Sequence, residues 1–464
     1  MKVALVNPTL KESREKQYAR MKEPHLGLAY LAASLEEKDI TPVLIDAKFE
    51  GIGFGQVMGR LKSEQPDLIG LTAFTPEIED AAHLAAEIKK ELPHAPVVIG
   101  GAHVTALPEQ ALNEFPCFDF VVYGEGEITL HQLALALEGK QEMEEIKGLA
   151  FRNGGVQVNP PRDFIDQLDE LPLPAWHLLP RSDYYPMETS RGCPFHCSFC
   201  CRVTGDKIRL RSPQSVVEEM EVVYSRFKPR HFTFSDETFG VNHRHANELL
   251  DLMIEKGIPR KVTWNITTRV DVVNLELMLK MKEAGCTSVG FGIESGNQAI
   301  LNSVGKGITL EKAERAVMLA KQAKLRTNSF FILGHPYETK QTIHETLDFA
   351  ARLNTTRVNF GIMVPYPGTE IAGMVERGEG NYRLLSRKWS DYGKQVGNVL
   401  ELTNISRAEL ERLQLWGYLK FHLHNFNPAK LARLISETGF KAIWVYLMSL
   451  LRRRLVGRRT RSGK

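Results

Sequence analysis

The sequence predicts an α/β chain in three parts: an open parallel sheet, an incomplete barrel of six strand–helix units, and a small helical extension. Three observations carry this. Short apolar runs alternate with amphipathic segments from Lys2 to about Leu137, the pattern of a parallel sheet covered on both faces. The same alternation returns from Met187 to about Met363. Between them, Pro160, Pro161, Pro172, Pro174, Pro180 and Pro186 punctuate a stretch without periodicity, which reads as a connector. The expected parts are 1–146, a hairpin and proline-rich linker over 147–186, a second domain over 187–390, and an extension over 391–464. A chain of 464 residues has room for two or three cores of that size.

In the first part the expected strands are Lys2–Val6, Pro42–Asp46, Asp67–Thr72, Pro96–Ile99 and Asp119–Tyr123. The run opening at Met1 is too short and too soon broken for a signal peptide and reads as the first of them. Ligands of such sheets sit beyond the carboxyl ends of the strands. The loops there contain Thr72 and Thr75, then Gly100, Gly101, His103 and Thr105, then Gly124 and Glu125. Gly100 and Gly101 let a bulky ligand lie on bare backbone, and the threonines offer hydroxyl donors. Tight turns would use the same glycines, so spacing alone leaves both readings open. A hairpin is expected over Gly148–Asn159, turning at Asn153-Gly154-Gly155.

In the second part the expected strands are Met187–Ser190, His231–Ser235, Val262–Thr267, Thr287–Gly292, Thr327–Leu333 and Arg357–Ile362. Six units fall short of a closed barrel, which leaves a side open for a large substrate or a second cofactor domain. Polar groups follow every strand. After the first come Cys193, Cys197 and Cys200, a Cys-x3-Cys-x2-Cys array with Phe199 before the last sulfur. Three soft thiolates on one tight loop suit an iron–sulfur cluster, whereas structural zinc normally collects four ligands. After the later strands come Glu237, Arg269, Glu294 with Ser295, Gly334, and the loop Pro365–Thr369. Each has a local alternative, such as helix capping or an ion pair between Arg269 and Asp271.

The array and its aromatic resemble the signature of the radical S-adenosylmethionine (SAM) superfamily. That resemblance implies a 4Fe-4S cluster held by Cys193, Cys197 and Cys200, with an open iron chelating the amino and carboxylate groups of SAM. It implies that Glu237 holds the SAM amino group, that Arg269 pairs with its carboxylate, that Glu294 and Ser295 meet the ribose, and that Gly334 lies near the adenine. The more usual Gly-Gly-Glu is absent at Ser235-Asp236-Glu237. A flavodoxin-like (Rossmann-like) sheet ahead of a partial TIM-type barrel resembles the cobalamin-dependent radical SAM family. There the nucleotide tail of cobalamin threads between loops corresponding to Thr72–Thr75 and Gly100–Thr105. One departure concerns cobalt. Where some cobalamin domains carry Asp-x-His-x-x-Gly, this chain reads Glu23-Pro24-His25-Leu26-Gly27, so Pro24 stands in the histidine position and no histidine ligand is expected below the metal.

Composition narrows the remaining classes. A net charge of +3 gives no field to recruit nucleic acid. Cys117, Cys201 and Cys286 form no disulfide framework, so a reducing cytoplasm is expected. No run approaches the roughly 18–20 apolar residues of a transmembrane helix. Helices are expected over Ser406–His424 and Pro428–Leu455, the second ending apolar at Trp444, Tyr446 and Leu447 and basic at Arg452, Arg453 and Arg454. It either lies in a membrane interface or docks on the barrel with a solvated tail. The expected function is functionalisation of an unactivated carbon, most simply C-methylation of a small or lipid-like metabolite. Ring closure, rearrangement or oxygen insertion are the alternatives, and a cobalamin- or redox-sensing binding protein is the alternative of another class. The enzyme reading implies a reductant partner such as flavodoxin or ferredoxin.

Overall fold

The computed structural model describes residues 1–9, 21–394 and 397–425. Its first sheet has β1 (Lys2–Asn7), β2 (Thr41–Asp46), β3 (Leu68–Thr72), β4 (Val97–Gly100), β5 (Phe120–Val122), β6 (Leu149–Arg152) and β7 (Val156–Val158). The order is β2-β1-β3-β4-β5-β6-β7. Strands β1 to β5 run parallel, while β6 and β7 pair antiparallel onto the β5 edge. The hairpin at Asn153 therefore forms as expected, but it extends the first sheet instead of belonging to a connector. Pro42 is tolerated because β2 is an edge strand, where a missing N–H breaks no ladder.

The second sheet has six parallel strands: β8 (Tyr184–Met187), β11 (His231–Phe234), β12 (Thr263–Thr268), β13 (Cys286–Glu294), β14 (Arg326–Leu333) and β15 (Arg357–Ile362). Between β8 and β11, β9 (Ser190–Arg191) and β10 (Arg209–Leu210) form a two-stranded antiparallel ribbon around the cysteine loop. The first strand of this sheet starts before the expected Met187. Pro186 reads as linker punctuation in sequence, yet it pairs in register with Thr233 on the β8 edge, where proline again costs no ladder bond. The core is Leu, Ile, Val and Phe from both sheets, with Trp264, Phe232, Phe291 and Phe331 fully buried.

One edge of the second sheet, β15, is covered. The helix Arg407–His424 lies on β15, where the Phe360 N–H donates to Tyr418 Oη at 3.1 Å and Gln414 Nε2 donates to the Phe360 carbonyl at 2.6 Å. Two side chains thus satisfy backbone groups that an edge strand leaves unpaired. Gly417 makes room, since a Cβ there would meet Leu347 Cδ2 at 2.8 Å. Ahead of it, β16 (Tyr382–Leu384) and β17 (Leu400–Leu402) form a hairpin, and Trp389 returns to the first sheet's helices, donating to Glu114 Oε1 at 2.7 Å. The expected helix Pro428–Leu455 and its basic tail lie outside the described residues. Among the described residues no helix is long and apolar enough to cross a membrane.

Candidate active site

A cavity of about 230 Å³ opens at the carboxyl ends of β3, β4 and β5. Leu5, Leu28, Leu31, Val98, Val122 and Leu130 make its walls apolar, and Gly70, Gly100, Gly101 and Gly124 leave bare backbone at its floor and rim. Gly70 and Gly101 are sterically required. A Cβ on Gly70 would stand 2.9 Å from Leu5 Cδ2. Gly101 has φ +104, and a Cβ there would meet the Ala73 carbonyl at 2.7 Å. A slot of this kind between sheet and helices takes a flat heterocycle with an apolar face, so these residues fit the nucleotide tail of cobalamin. Of the loop residues singled out in sequence, Thr72, Gly100, Gly101, Gly124 and Glu125 line the cavity. Thr105 stands beside it and accepts from the Gly124 N–H at 3.2 Å. Thr75 and His103 do not border it. His103 is buried, with Nδ1 3.4 Å from Thr75 Oγ1 and its ring edge-on to Trp389 at 4.7 Å, and burial lowers its pKa to about 4.

His25 reaches the cavity mouth as the N-cap of the helix Leu26–Glu36. Asp46 fixes it by accepting from the His25 N–H at 2.8 Å. Its Nδ1 accepts from the Leu28 N–H at 3.2 Å, and burial, helped by Lys48, lowers the pKa to about 4. The ring is therefore neutral at pH 7 with its proton on Nε2. A protonated nitrogen has no lone pair to offer a metal.

Across the mouth, side chains from both halves of the chain meet. Arg191, on the ribbon leading into the cysteine loop, pairs with Glu125 at 3.1 Å, Glu127 at 2.9 Å and Glu188 at 2.9 Å. Its guanidinium lies over the Tyr30 ring at 5.2 Å. Arg209 on the other ribbon strand pairs with Glu125 at 2.9 Å. Burial raises the Glu188 pKa to about 7, partly offset by Arg191. Glu125 thus faces the cavity but spends its oxygens on two arginines and the Ile165 N–H. Sequence reading singled out neither Arg191, Arg209, Glu127 nor Glu188, because the contacts that join the ribbon to Glu125 and Glu127 span tens of residues.

The cysteine loop is pinned from below by Asp236, which is buried and accepts from the Thr189 N–H at 2.7 Å, the Ser190 N–H at 3.4 Å and both hydroxyls. Cys193 is partly exposed, Cys197 buried and Cys200 exposed. A hydrogen bond from Cys200, with Lys306 and Arg269 nearby, brings the Cys197 pKa down to about 6. The same hydrogen bond pushes the Cys200 thiol up, so the pair shares one proton; Lys306 and Arg269 favour the thiolate form that an iron–sulfur ligand takes. Among the described residues no three His, Cys, Asp or Glu side chains converge on a single metal ion. A cubane takes one thiolate per iron, so its ligands ring a cluster and not a point. The donor set fits.

Around the loop, Glu237 is exposed and contacts Thr204. Arg269 makes a bidentate pair with Asp271 at 2.9 Å through Nε and Nη2, donates to the Lys306 carbonyl at 2.7 Å and to Cys197 Sγ at 3.8 Å, and stacks on Phe195. Its fork is occupied by the neighbouring acid, so it is not free for a SAM carboxylate. Glu294 adopts φ +76 and pairs with buried Lys306 at 3.2 Å. Ser295 is buried against Thr346 at 3.1 Å. Phe199 packs edge-on to His335 at 5.8 Å. Gly334, at φ +89, donates to the buried Glu338, whose pKa burial raises to about 8. Lys306 is the residue that sequence reading missed here, although glycines flank it on both sides.

A cysteine loop suited to a cluster on one parallel sheet, and a glycine-floored cleft on the other, define a two-cofactor enzyme. Residues 187–350 match the Radical SAM superfamily and residues 18–134 the B12 binding domain. Over 434 residues the chain is 36% identical to an uncharacterised methyltransferase of Pyrococcus horikoshii, covering 91% of this chain and 93% of that one. It is 32% identical over 368 residues to the anaerobic magnesium-protoporphyrin IX monomethyl ester cyclase of Cereibacter sphaeroides, covering 75% of this chain and 60% of that one. Its fold matches the radical SAM methyltransferase TsrM from Kitasatospora setae, solved with cobalamin and a 4Fe-4S cluster, with a TM-score of 0.72 at 18% identity, covering 91% and 88%. The chain belongs to the radical SAM superfamily, in the group whose radical SAM domain follows a B12-binding domain.

Proposed function

We propose that this protein is a cobalamin-dependent radical SAM methyltransferase acting on an unactivated carbon of a small molecule. The observation that carries it is the joining of the two sites: the ribbon that frames the cysteine loop also supplies Arg191 to the rim of the glycine-floored cavity, and its Arg209 pairs with Glu125 on that rim. With cluster, SAM and cobalamin bound, the cofactors supply radical hydrogen abstraction and a methyl donor. The protein's part is positional. Cys193, Cys197 and Cys200 would hold the cluster, Asp236 fixes their loop, Thr72, Gly100, Gly101 and Gly124 would bed the cobalamin, and the arginine–glutamate seam sets one site against the other.

Likeness to the cyclase favours a second reading, ring closure at the same carbon-activating site, although that protein is much longer than the match. The enzyme reading calls for a one-electron donor, such as a flavodoxin or ferredoxin. A lipid-like substrate, met at a membrane through residues 442–454, is the finer proposal and rests on that segment's sequence. Anaerobic reconstitution with iron, sulfide, cobalamin, SAM and a reductant is the test. Binding of both cofactors with formation of 5′-deoxyadenosine is expected. Cofactor binding without SAM cleavage would overturn the enzyme reading in favour of a sensing protein.

A further inference from the structure

Strands β12 to β15 turn alternate side chains to the two faces of their sheet. Ile266, Phe291, Phe331 and Phe360 lie on the helix-covered face and are buried. The opposite face is the interior side of the partial barrel. In closed barrels bulky branched side chains fill that interior, but here it carries Thr267, Asn328, Phe330 and Asn359, with Gly290 and Gly292 between them. Register sets them in two tiers: Thr267, Gly290 and Asn328 stand side by side, and Gly292, Phe330 and Asn359 form the next tier toward the carboxyl ends. The glycines keep the wall clear. A Cβ on Gly290 would stand 2.9 Å from Phe330 Cε2 and 3.0 Å from Thr267 Oγ1, and one on Gly292 would stand 2.6 Å from Glu294 Oε1 and 3.3 Å from Lys306 Nζ. The upper tier therefore abuts the ion pair beside the cysteine loop.

This wall is accessible, and its polar groups are unspent. Thr267 is exposed although β12 is an interior strand, and Asn328, Phe330 and Asn359 are partly exposed. Among the described residues the side chains of Thr267, Asn328 and Asn359 have no hydrogen-bond partner. Hydroxyls on the helix-covered face are paired by contrast. Ser329 Oγ lies 2.8 Å from Thr355 Oγ1, and Thr327 Oγ1 accepts from the Thr356 N–H at 3.2 Å. Two amides and a hydroxyl offer both donors and acceptors. Covering them with hydrocarbon would strip away their water and return no hydrogen bond.

We infer that Thr267, Asn328 and Asn359 determine substrate specificity, and that the part of the substrate lying against this wall bears hydroxyl or carbonyl groups, of the polyol or amide class, with Phe330 against its carbon skeleton. The inference rests on the functional reading above and names the substrate chemistry of that same site. A lipid-like substrate would present its polar end here.

The test uses the full-length protein reconstituted anaerobically with cluster, cobalamin, SAM and a reductant. Two carbon-deuterated probes, glycerol and cyclopentane, are supplied at equal concentration. When the 5′-deoxyadenosyl radical abstracts from a bound probe, a C–D bond of the probe breaks, a C–D bond forms at the 5′ carbon, and the reductant quenches the probe radical. Mass spectrometry reads the fraction of 5′-deoxyadenosine that carries deuterium, a ratio independent of total turnover. The wild type should draw deuterium from glycerol and much less from cyclopentane. In N328L/N359L the glycerol fraction should fall by about tenfold or more, the size of two lost hydrogen bonds at a subsaturating probe, while the cyclopentane fraction rises. N328A/N359A removes the amides without adding bulk and should lose the glycerol fraction alike, which keeps the test open if the leucine variant fails to fold. A larger cyclopentane fraction in the wild type, a glycerol fraction unchanged in the variants, or no deuterium from either probe would overturn the inference. Cluster-loaded wild type that forms no 5′-deoxyadenosine at all would instead overturn the functional reading.

Discussion

Replacing Arg191 by methionine keeps much of the side chain's bulk over Tyr30 and removes its charge. Three carboxylates face that guanidinium within 3.1 Å, and only Glu125 has a second cation, Arg209. Removing one partner of a buried pair costs about 3–5 kcal/mol, because the other charge is left without compensation. Glu188 is 22% exposed at its side chain, which favours the lower end of that range. The loss depends on pH. Burial already holds Glu188 near 7, and Arg191 works against that rise; without it, Glu188 binds its proton still more readily in the folded state. A carboxyl whose folded pKa stands above its unfolded value carries extra protons when native, so stability falls as pH rises through that window, by about 1.4 kcal/mol per proton and pH unit. Urea unfolding of wild type and R191M at about pH 6 and about pH 8.5 is the assay. The variant should lose about 3 kcal/mol at the higher pH and markedly less at the lower. A loss under about 1 kcal/mol at high pH, or one that grows on acidification, would refute the seam as described.

Three further outcomes are expected, two from the geometry of the sites and one from the sequence of the carboxyl-terminal segment alone. Alanine at Cys193, Cys197 and Cys200 together should abolish the brown chromophore and 5′-deoxyadenosine formation yet leave cobalamin binding intact, since the glycine-floored cavity uses none of them; a retained cluster would defeat the assignment. Paramagnetic resonance of the cob(II)alamin form should show no axial nitrogen splitting, because His25 Nδ1 serves the Leu28 N–H, and H25A should cost about 1 kcal/mol as a lost helix cap. A splitting that disappears in H25A would show that the ring has given up the cap for cobalt. Truncation after Glu437 should abolish sedimentation with anionic liposomes while the protein stays soluble; equal sedimentation of both forms would favour a docked helix.

Strand-level architecture was legible because parallel strands buried on both faces read as short apolar runs. Two misplacements share a cause. Pro186 looked like linker punctuation, and the hairpin at Asn153, legible as a hairpin, was grouped with the linker, yet each sits at a sheet edge, where the rules that exclude proline or demand a parallel partner relax. Covering of β15 by Tyr418 and Gln414 was invisible for a different reason: which helix face meets which strand is a property of the packed molecule. In the site, the cysteines announced themselves through spacing, and the glycine loops through their position after strands. Lys306 and the Arg191–Glu125–Glu127–Glu188 seam did not, because buried ion pairs between distant segments leave no periodic trace. For Arg269, the sequence offered a SAM contact or an ion pair with Asp271, and in the structure the pair with Asp271 takes its fork.

The fate of SAM tests the central claim most directly. With substrate, cobalamin and reductant present, methylation consumes one SAM as methyl donor and another as radical source. Anaerobic turnover should therefore give S-adenosylhomocysteine and 5′-deoxyadenosine in equal amounts, with the product gaining one CH2. Formation of 5′-deoxyadenosine without S-adenosylhomocysteine, and a product with no added carbon, would contradict methyl transfer and leave cyclisation or rearrangement as the chemistry.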